Sequence, residues 1–143
     1  SAIRFLAVRW RTSGELTQYL ARRGYPDEVI QQVLNRCRER KYIDDQAYAE
    51  QFVQQRLAKG YGPRRLARDL AAKGVKSDVY RPLLGELEQQ ELEKSARQVA
   101  VKKASRLPKD LPAGQKKLKI ARHLQYKGFP EAVIHRVLDS LFS

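Results

Sequence analysis

Hydrophobic positions along the chain recur with the spacing of α-helices, and the same pattern occurs three times. In each copy two Leu or Ile residues stand four apart, a glycine follows four residues later, and two apolar pairs come next. The copies align without insertion or deletion over residues 16–34, 66–84 and 120–138. Apolar residues at intervals of three and four give a helix one stripe to bury. No segment shows the alternation of a strand, so the pattern predicts an all-α fold.

The spacing between copies, about 50 residues, is typical of stacked helical repeats. Start and stop signals divide the chain into about nine helices, three for each copy. We assign residues 1–43, 44–88 and 89–143 to three successive three-helix modules. Since no stripe is wide enough for a helix to stand alone, neighbouring modules must share cores. The sequence therefore predicts an elongated, curved array, whose long surface favours binding over catalysis.

Capping residues indicate where the helices of the first two modules begin. A first helix runs to about Arg11, and Thr12-x-x-Glu15 forms a capping box for the second. Asp44 or Asp45 caps the helix that opens the second module, Pro63 starts its middle helix, and Ser77 caps its last helix.

The third module is predicted from the same kinds of signal. Its helices run from about Gln89 to Ser105, from Leu118 to Lys127 and from Ala132 to Leu141, with residues 106–114 as the longest loop. Tyr25 and Phe129 follow glycines that end helices. A hydrophobic contact normally closes such a cap, so we interpret both rings as structural.

Charge is the strongest constraint on function. Twenty-nine Lys and Arg against 16 Asp and Glu give a net charge of +13 and a pI near 10.1, which favours a polyanionic partner such as nucleic acid. Basic residues concentrate in 94–127, where the one acid is Asp110, and in 56–73, where it is Asp69. From these stretches we predict thirteen residues that bind DNA or a filament: Arg56, Lys59, Arg64, Arg65, Arg68, Lys73, Lys102, Lys103, Lys116, Lys117, Lys119, Arg122 and Lys127.

Helical geometry refines this prediction. At roughly 100° per residue, Lys119 and Arg122 point away from the apolar stripe of their helix. Repeat alignment places Arg65 on Lys119 and Arg68 on Arg122, so we hypothesise that two middle helices present matching basic ridges to one elongated anion. The alternative is that these are solvated charges on outer helix faces. Tyrosines 61 and 126 lie beside basic residues, which would suit the stacking of bases.

Residue patterns typical of catalysis or of metal binding do not appear. His123 and His135 have no cysteine or carboxylate at the spacing of metal ligands, and Cys37 lies on an apolar stripe. Helix capping accounts for the paired aspartates at 44 and 45. Neither a phosphate-binding glycine loop nor a G-x-S-x-G turn occurs, and the segment Gly60-Tyr61-Gly62-Pro63 is interpreted as ending one helix and starting the next. We expect no enzyme, no metal and no cofactor.

A single cysteine and the absence of a long apolar stretch predict a cytoplasmic protein without a membrane span. Residues 1–6 already read as the inside of an amphipathic helix, and the chain contains no methionine. We therefore expect further residues to precede Ser1 in the natural protein.

The central segment resembles the RecX family of bacterial regulatory proteins, which modulate the RecA recombinase. Residues 42–56 read YIDDxxYAxxFVxxR and residues 59–75 read KGYGPxRLxxDLxxKGV. The family forms are GYLDDxxFAxxFVxxR and KGxGPxRIxxELxxKGI. Departures are Lys41 for the usual glycine, Tyr48 for phenylalanine and Asp69 for glutamate. The flanking modules are similar to the family along nearly the whole chain.

The resemblance implies a monomeric array of three-helix repeats that binds the groove of the RecA filament on single-stranded DNA. It implies inhibition of the RecA ATPase, strand exchange and co-protease activities, through blocked filament growth or disassembly, and hence a role in recombination, DNA repair and the SOS response. Contact with single- and double-stranded DNA would have weak sequence specificity. Two alternatives are a free nucleic-acid-binding protein that does not depend on RecA and a protein-binding scaffold whose basicity is incidental.

Overall fold

The computed structural model describes residues 12–40 and 43–142, and within them the fold is all-α. Eight helices are present in this part of the chain, and the helix predicted before Arg11 lies outside it. We number them α1 (Ser13–Arg22), α2 (Asp27–Glu39), α3 (Asp45–Ala58), α4 (Pro63–Ala72), α5 (Ser77–Gly85), α6 (Gln89–Ser105), α7 (Ala113–Lys127) and α8 (Glu131–Phe142).

Apolar side chains of the described residues form three cores, one in each module, and Leu57 and Leu87 pack against both the second and the third, so these two modules share apolar contacts as expected. The first core joins α1 to α2 around Leu16 and Ile30, and the second joins α3 to α4 around Phe52 and Leu66. The third is the largest and unites α6, α7 and α8, with Phe129 fully buried. Extensive contact between helices likewise occurs within modules: α1 with α2, α3 and α4 with α5, and α6, α7 and α8 with one another. The three-helix plan read from the sequence is therefore confirmed in the second and third modules, and the described part of the first module contains two of its three predicted helices.

The repeat is preserved down to single hydrogen bonds at the ends of the middle helices. Gly24, Gly74 and Gly128 have positive φ angles of 84°, 86° and 98°, which favour glycine because a Cβ would be strained there. The amides that follow them donate back across the turn at 3.2, 3.0 and 3.1 Å to the carbonyls of the leucines at 20, 70 and 124. This is the Schellman closure of a helix end.

Local signals predict some helix ends correctly and others wrongly. Asp44 is the residue that caps α3, since its carboxylate accepts the amide of Ala47 at 3.0 Å. Ser77 does not cap α5: it lies inside the first turn, and the N-cap position is Lys76. Helix α7 begins at Ala113 instead of Leu118. Pro112 precedes its first turn, where the backbone amides of any helix lack intrahelical partners, so a proline is accepted there.

The two residues interpreted as closing caps also differ. Phe129 is 1% exposed and belongs to the third core, as predicted. Tyr25 makes the same backbone hydrogen bond, but its ring is 47% exposed, so only its amide closes the cap.

Consecutive modules meet where the start of one middle helix touches the end of the next. The hydroxyl of Thr12, before α1, donates to the carbonyl of Lys73 at the end of α4 at 2.5 Å. The amide of Gly62, before α4, donates to the carbonyl of Lys127 at the end of α7 at 2.7 Å. Thr12 aligns with Gly62 and Lys73 aligns with Lys127, so the two junctions are copies of each other. At each junction a donor before a helix start, a hydroxyl at Thr12 and an amide at Gly62, satisfies a free carbonyl at a helix end.

Small residues allow this close approach. A Cβ on Gly62 would stand 2.6 Å from the carbonyl oxygen of Gly128, and one on Gly14 would stand 2.4 Å from that of Gly74. The amide of Arg64 adds a second bond at the later junction, donating to Gly128 at 2.9 Å. Both junctions therefore depend on the absence of a side chain.

Substitution of Gly62 tests this dependence. Its φ of −100° suits any residue, so Gly62→Ala adds steric pressure without backbone strain. We expect the free energy of unfolding to fall by about 1–3 kcal/mol, as in other overpacked sites. Urea denaturation measures it. Gly85→Ala is the matched control, because a Cβ there has no neighbour within 4 Å; equal stabilities of the two variants would contradict the steric account.

Candidate nucleic-acid interface

Three cations from two modules surround one tyrosine at the junction between α4 and α7. Tyr61 stands between Gly60 and Gly62 in the sequence. The Nζ atom of Lys127 lies 3.7 Å from the centroid of the Tyr61 ring. The guanidinium carbons of Arg65 and Arg56 stand 5.1 and 5.8 Å from the same centroid. Such distances are those of cation–π contacts. We call Arg56, Tyr61, Arg65 and Lys127 the junction cluster.

Arg65 is fixed within this cluster and is not a free surface cation. Its Nε lies 3.2 Å from the Asp69 carboxylate, and its Nη1 donates to the carbonyl of Tyr126 at 3.4 Å. Its guanidinium carbon also stands 5.1 Å from the Tyr126 ring centroid. The side chain of Tyr126 and then that of Asp69 stabilise the charged guanidinium and raise the pKa of Arg65 above its ordinary value. The side chain of Arg65 is only 18% exposed. Our hypothesis placed Arg65 on an outward ridge and did not foresee that it joins two modules.

The other members of the proposed ridges are open to solvent. The side chain of Arg68 is 70% exposed, with its nearest carboxylate oxygen on Asp69 at 4.0 Å. Lys119 and Arg122 are exposed on α7, as their angular positions predict. No contact among the described residues links Arg68 to Lys119 or Arg122, so the matching of the two ridges stays a prediction.

The remaining predicted residues divide by exposure. Lys103 and Lys116 are half-buried, and the Lys116 ammonium donates to the carbonyl of Lys109 at 3.1 Å. The carbonyl of Lys59 accepts a hydrogen bond from the Lys127 ammonium at 3.4 Å. The backbone carbonyls of Lys73 and Lys127 accept the hydrogen bonds that join the modules. Exposed side chains belong to Lys59, Arg64, Lys73, Lys102 and Lys117.

A histidine reports positive potential next to the junction cluster. Burial lowers the pKa of His123 below its ordinary value of 6.5, and the charges of Lys103, Lys127 and Arg106 lower it further. We call these three cations the His123 field. The Tyr126 ring is 63% exposed and stacks on the imidazole at 6.5 Å between centroids. Lys127 belongs to both groups, so positive charge continues from the second module into the third.

Sequence reasoning missed this gathering, although a signal was present. From sequence, the glycines at 60 and 62 are interpreted only as ending one helix and starting another. Their lack of side chains also lets another module approach: a Cβ on Gly60 would stand 2.7 Å from Cγ2 of Val99 on α6. Alignment of the repeats pairs Gly62 with Thr12, and in the structure each of these two residues contacts the end of the next middle helix.

Other chemistry is sparse in the part of the chain that the structure describes. No group of three or more His, Cys, Asp or Glu residues there is placed to hold a metal ion. Cys37 is buried in the first core, and burial raises the pKa of its thiol, which makes a reactive thiolate unfavourable. Among the described helices, none is long and apolar enough to span a bilayer.

Comparison with known families agrees with this architecture. Models of the first, second and third three-helix domains of RecX match residues 1–37, 44–81 and 90–138. The chain belongs to the RecX family. The matched segments follow one another in the family's order and together span most of the chain.

Relatives named regulatory protein RecX are similar to this chain over much of its length. The protein of Oceanobacillus iheyensis is 30% identical over 97% of this chain and 51% of its own length. That of Lactococcus lactis is 34% identical over 98% and 53%, and that of Mycolicibacterium smegmatis is 46% identical over 60% and 46%. The chain thus spans about half the length of these curated RecX relatives, which are named as regulatory proteins and not as enzymes.

Solved RecX structures share the fold. The crystal structure of RecX from Lactobacillus salivarius superposes with a TM-score of 0.86, at 24% identity, over 98% of this chain and 91% of that chain. A second crystal structure of regulatory protein RecX gives a TM-score of 0.82 at 24% identity, over 94% and 68%.

Titration of His123 tests the positive field. In a His135→Gln background, NMR should give a pKa for His123 below 6.5, and Lys103→Gln should raise it by removing a like charge. Addition of a single-stranded oligonucleotide should raise it too, because phosphates favour the imidazolium. Since the folded-state pKa is the lower one, the unfolded chain binds more protons, and stability should fall as pH drops below about 6.5. If the pKa of His123 is the same with and without the oligonucleotide, DNA does not bind next to the His123 field.

Substitutions of Tyr61 test the junction cluster. Tyr61→Leu removes the ring that three cations share, and we expect a loss of about 1 kcal/mol in the free energy of unfolding. Tyr61→Phe keeps the ring and should lose much less. Urea denaturation separates the two; equal losses would show that the phenol hydroxyl, which both variants lack, matters instead of the ring face.

Proposed function

We propose that the chain binds the helical groove of the RecA filament on single-stranded DNA and inhibits RecA. Inhibition would affect ATP hydrolysis, strand exchange and co-protease activity, by blocking filament extension or promoting disassembly. Membership of the RecX family and the name of its relatives, regulatory protein RecX, support a regulatory role. The observation that carries the proposal is the junction cluster, which places cations of two modules at one point along the line of modules.

The arrangement suits a polymeric anion better than a small one. Positive charge extends from Arg56 on α3 through Lys127 to Lys103 and Arg106 at the end of α6. A single phosphate would use only a small part of this length, whereas a filament that contains DNA presents phosphates and acidic side chains repeatedly. A net charge of +13 would also speed association by Coulomb steering and make it sensitive to salt.

A second candidate function is binding of nucleic acid without RecA. The exposed Tyr126 ring next to the His123 field favours it, since unpaired bases stack on such rings between phosphate-binding cations. Binding to bare single-stranded DNA, to RecA alone and to the assembled filament distinguishes the two functions. Tightest binding to the filament with falling ATP hydrolysis supports the first, and DNA binding indifferent to RecA supports the second.

Charge reversal of the exposed ridge residues tests filament binding. We expect Arg68→Glu, Lys119→Glu and Arg122→Glu together to raise the concentration that half-inhibits the RecA ATPase by about tenfold or more. The slope of log affinity against log salt should become shallower by about 0.7 for each phosphate that the variant no longer binds. Arg65 is left unchanged because it donates across the junction to the carbonyl of Tyr126, so its loss would also disturb the contact between modules.

A matched control has the same change in charge elsewhere. Arg38, Lys76 and Arg81 are exposed and lie on α2, before α5 and on α5. Their replacement by Glu should leave inhibition within about twofold of wild type if specific contacts matter. Equal effects of the two triple variants would show that only the net charge of the protein matters. An unchanged salt slope in the ridge variant would refute the assignment of Arg68, Lys119 and Arg122 to the binding surface.

A further inference from the structure

The third module carries a second group of cations on the far side of α6. Lys94 and Arg97 precede Lys103 and Arg106 by nine residues each. Nine residues of α-helix turn the side-chain direction by about 180° and advance the axis by about 13 Å. The two pairs therefore point to opposite sides of the helix, and a strand that lies against the His123 field cannot reach Lys94 and Arg97 without crossing α6.

Lys94 and Arg97 line an open cleft of about 300 Å³ between α6 and α8, to which Arg136 contributes from α8. We call it the rear cleft. Glu93 is the one carboxylate among its lining residues, so three cations face a single acid. The local charge is therefore positive although Glu93 is present.

Neighbouring side chains hold the two guanidinium groups in place. The Arg136 Nη1 donates to the Glu93 carboxylate at 2.6 Å, and the Arg97 Nη1 donates to the Ser140 hydroxyl. Each guanidinium has five N–H donors, so most remain for a ligand. Because the Ser140 oxygen accepts from Arg97, its own proton is available to the cleft. Within the described part of the chain, the Lys94 ammonium has no hydrogen-bond or ion-pair partner.

We propose that the rear cleft is a second phosphate-binding site, which takes the phosphodiester backbone of a strand other than the one at the junction cluster. One chain would then bridge two nucleic-acid strands. The paired N–H groups of a guanidinium match the spacing of two phosphate oxygens. An open cleft also admits a phosphate that is part of a nucleic-acid strand. The proposal rests on nucleic-acid binding at the junction cluster, but it does not require RecA.

A two-strand capture experiment tests it. The protein is loaded on an immobilised single-stranded oligonucleotide, washed, and exposed to a second, fluorescent oligonucleotide. Wild type should capture the second strand. Lys94→Gln with Arg97→Gln should lower capture about tenfold and loading by less than about twofold, because only the cations of the rear cleft are removed. Lys94→Arg with Arg97 unchanged should retain capture, and circular dichroism confirms that each variant is folded.

Lys76→Gln with Arg81→Gln is the matched control, with the same loss of charge at exposed positions outside the cleft. It should leave loading and capture unchanged. Equal capture by the Lys94/Arg97 variant and wild type would overturn the proposal, and parallel losses of loading and capture would make the cleft part of a single site. A first strand that retains no protein would contradict nucleic-acid binding at the junction cluster, on which the proposal rests, and filament binding is then tested separately by inhibition of the RecA ATPase.

Competition with inorganic phosphate distinguishes a strand from the free anion and needs no variant. Compared with chloride at equal ionic strength, millimolar phosphate should leave capture by wild type unchanged. Displacement of the second strand under these conditions would assign the cleft to free phosphate instead.

Discussion

The hydrogen bond from the amide of Gly62 to the carbonyl of Lys127 is the constraint on which the relation between the second and third modules depends. Each helix start has amides without partners, and each helix end has carbonyls without partners. Placing one against the other satisfies both, and aligns the positive end of one helix dipole with the negative end of the next. These polar contacts, the cluster around Tyr61 and the packing of Leu57 and Leu87 against both cores together orient the two modules.

The same junction explains why the charged residues gather where they do. The chain turns from α3 into α4 at residues 59–62, and the end of α7 must come within hydrogen-bonding distance of this turn. Arg56 precedes the turn, Arg65 follows it, and Lys127 arrives with α7. Their mutual repulsion is offset by the face of Tyr61, by Asp69 and by the carbonyls at 59 and 126. Cations confined in this way lose little further freedom on binding an anion, which favours their use as a binding surface.

Periodicity predicted the helices and the three cores because the buried residues of each core come from a single module. The apolar stripe of α4, with Leu66 and Leu70, could be read directly, and so could the glycine at 74 that ends it. The start of α7 was misplaced because Ala113 to Lys117 lack an apolar stripe, although nothing prevents them from forming a solvated turn. The candidate site was predicted as a set of residues but not as a geometry. Contacts between residues 61 apart, such as Arg65 with Tyr126, leave no periodic trace.

Equivalence between repeats predicts conformation more reliably than it predicts role. Gly24, Gly74 and Gly128 share one backbone conformation, yet a Cβ on Gly24 would meet nothing within 4 Å, whereas Gly74 and Gly128 each touch the helix start of the preceding module. Arg65 and Lys119 also align, but Arg65 faces the end of α7, and Lys119 faces solvent. Position in the array decides whether an aligned residue lies at a junction or on the surface. Aligned cations therefore differ in how they meet a partner, because a neighbouring module holds those at a junction in place, whereas those on the surface move freely in solvent.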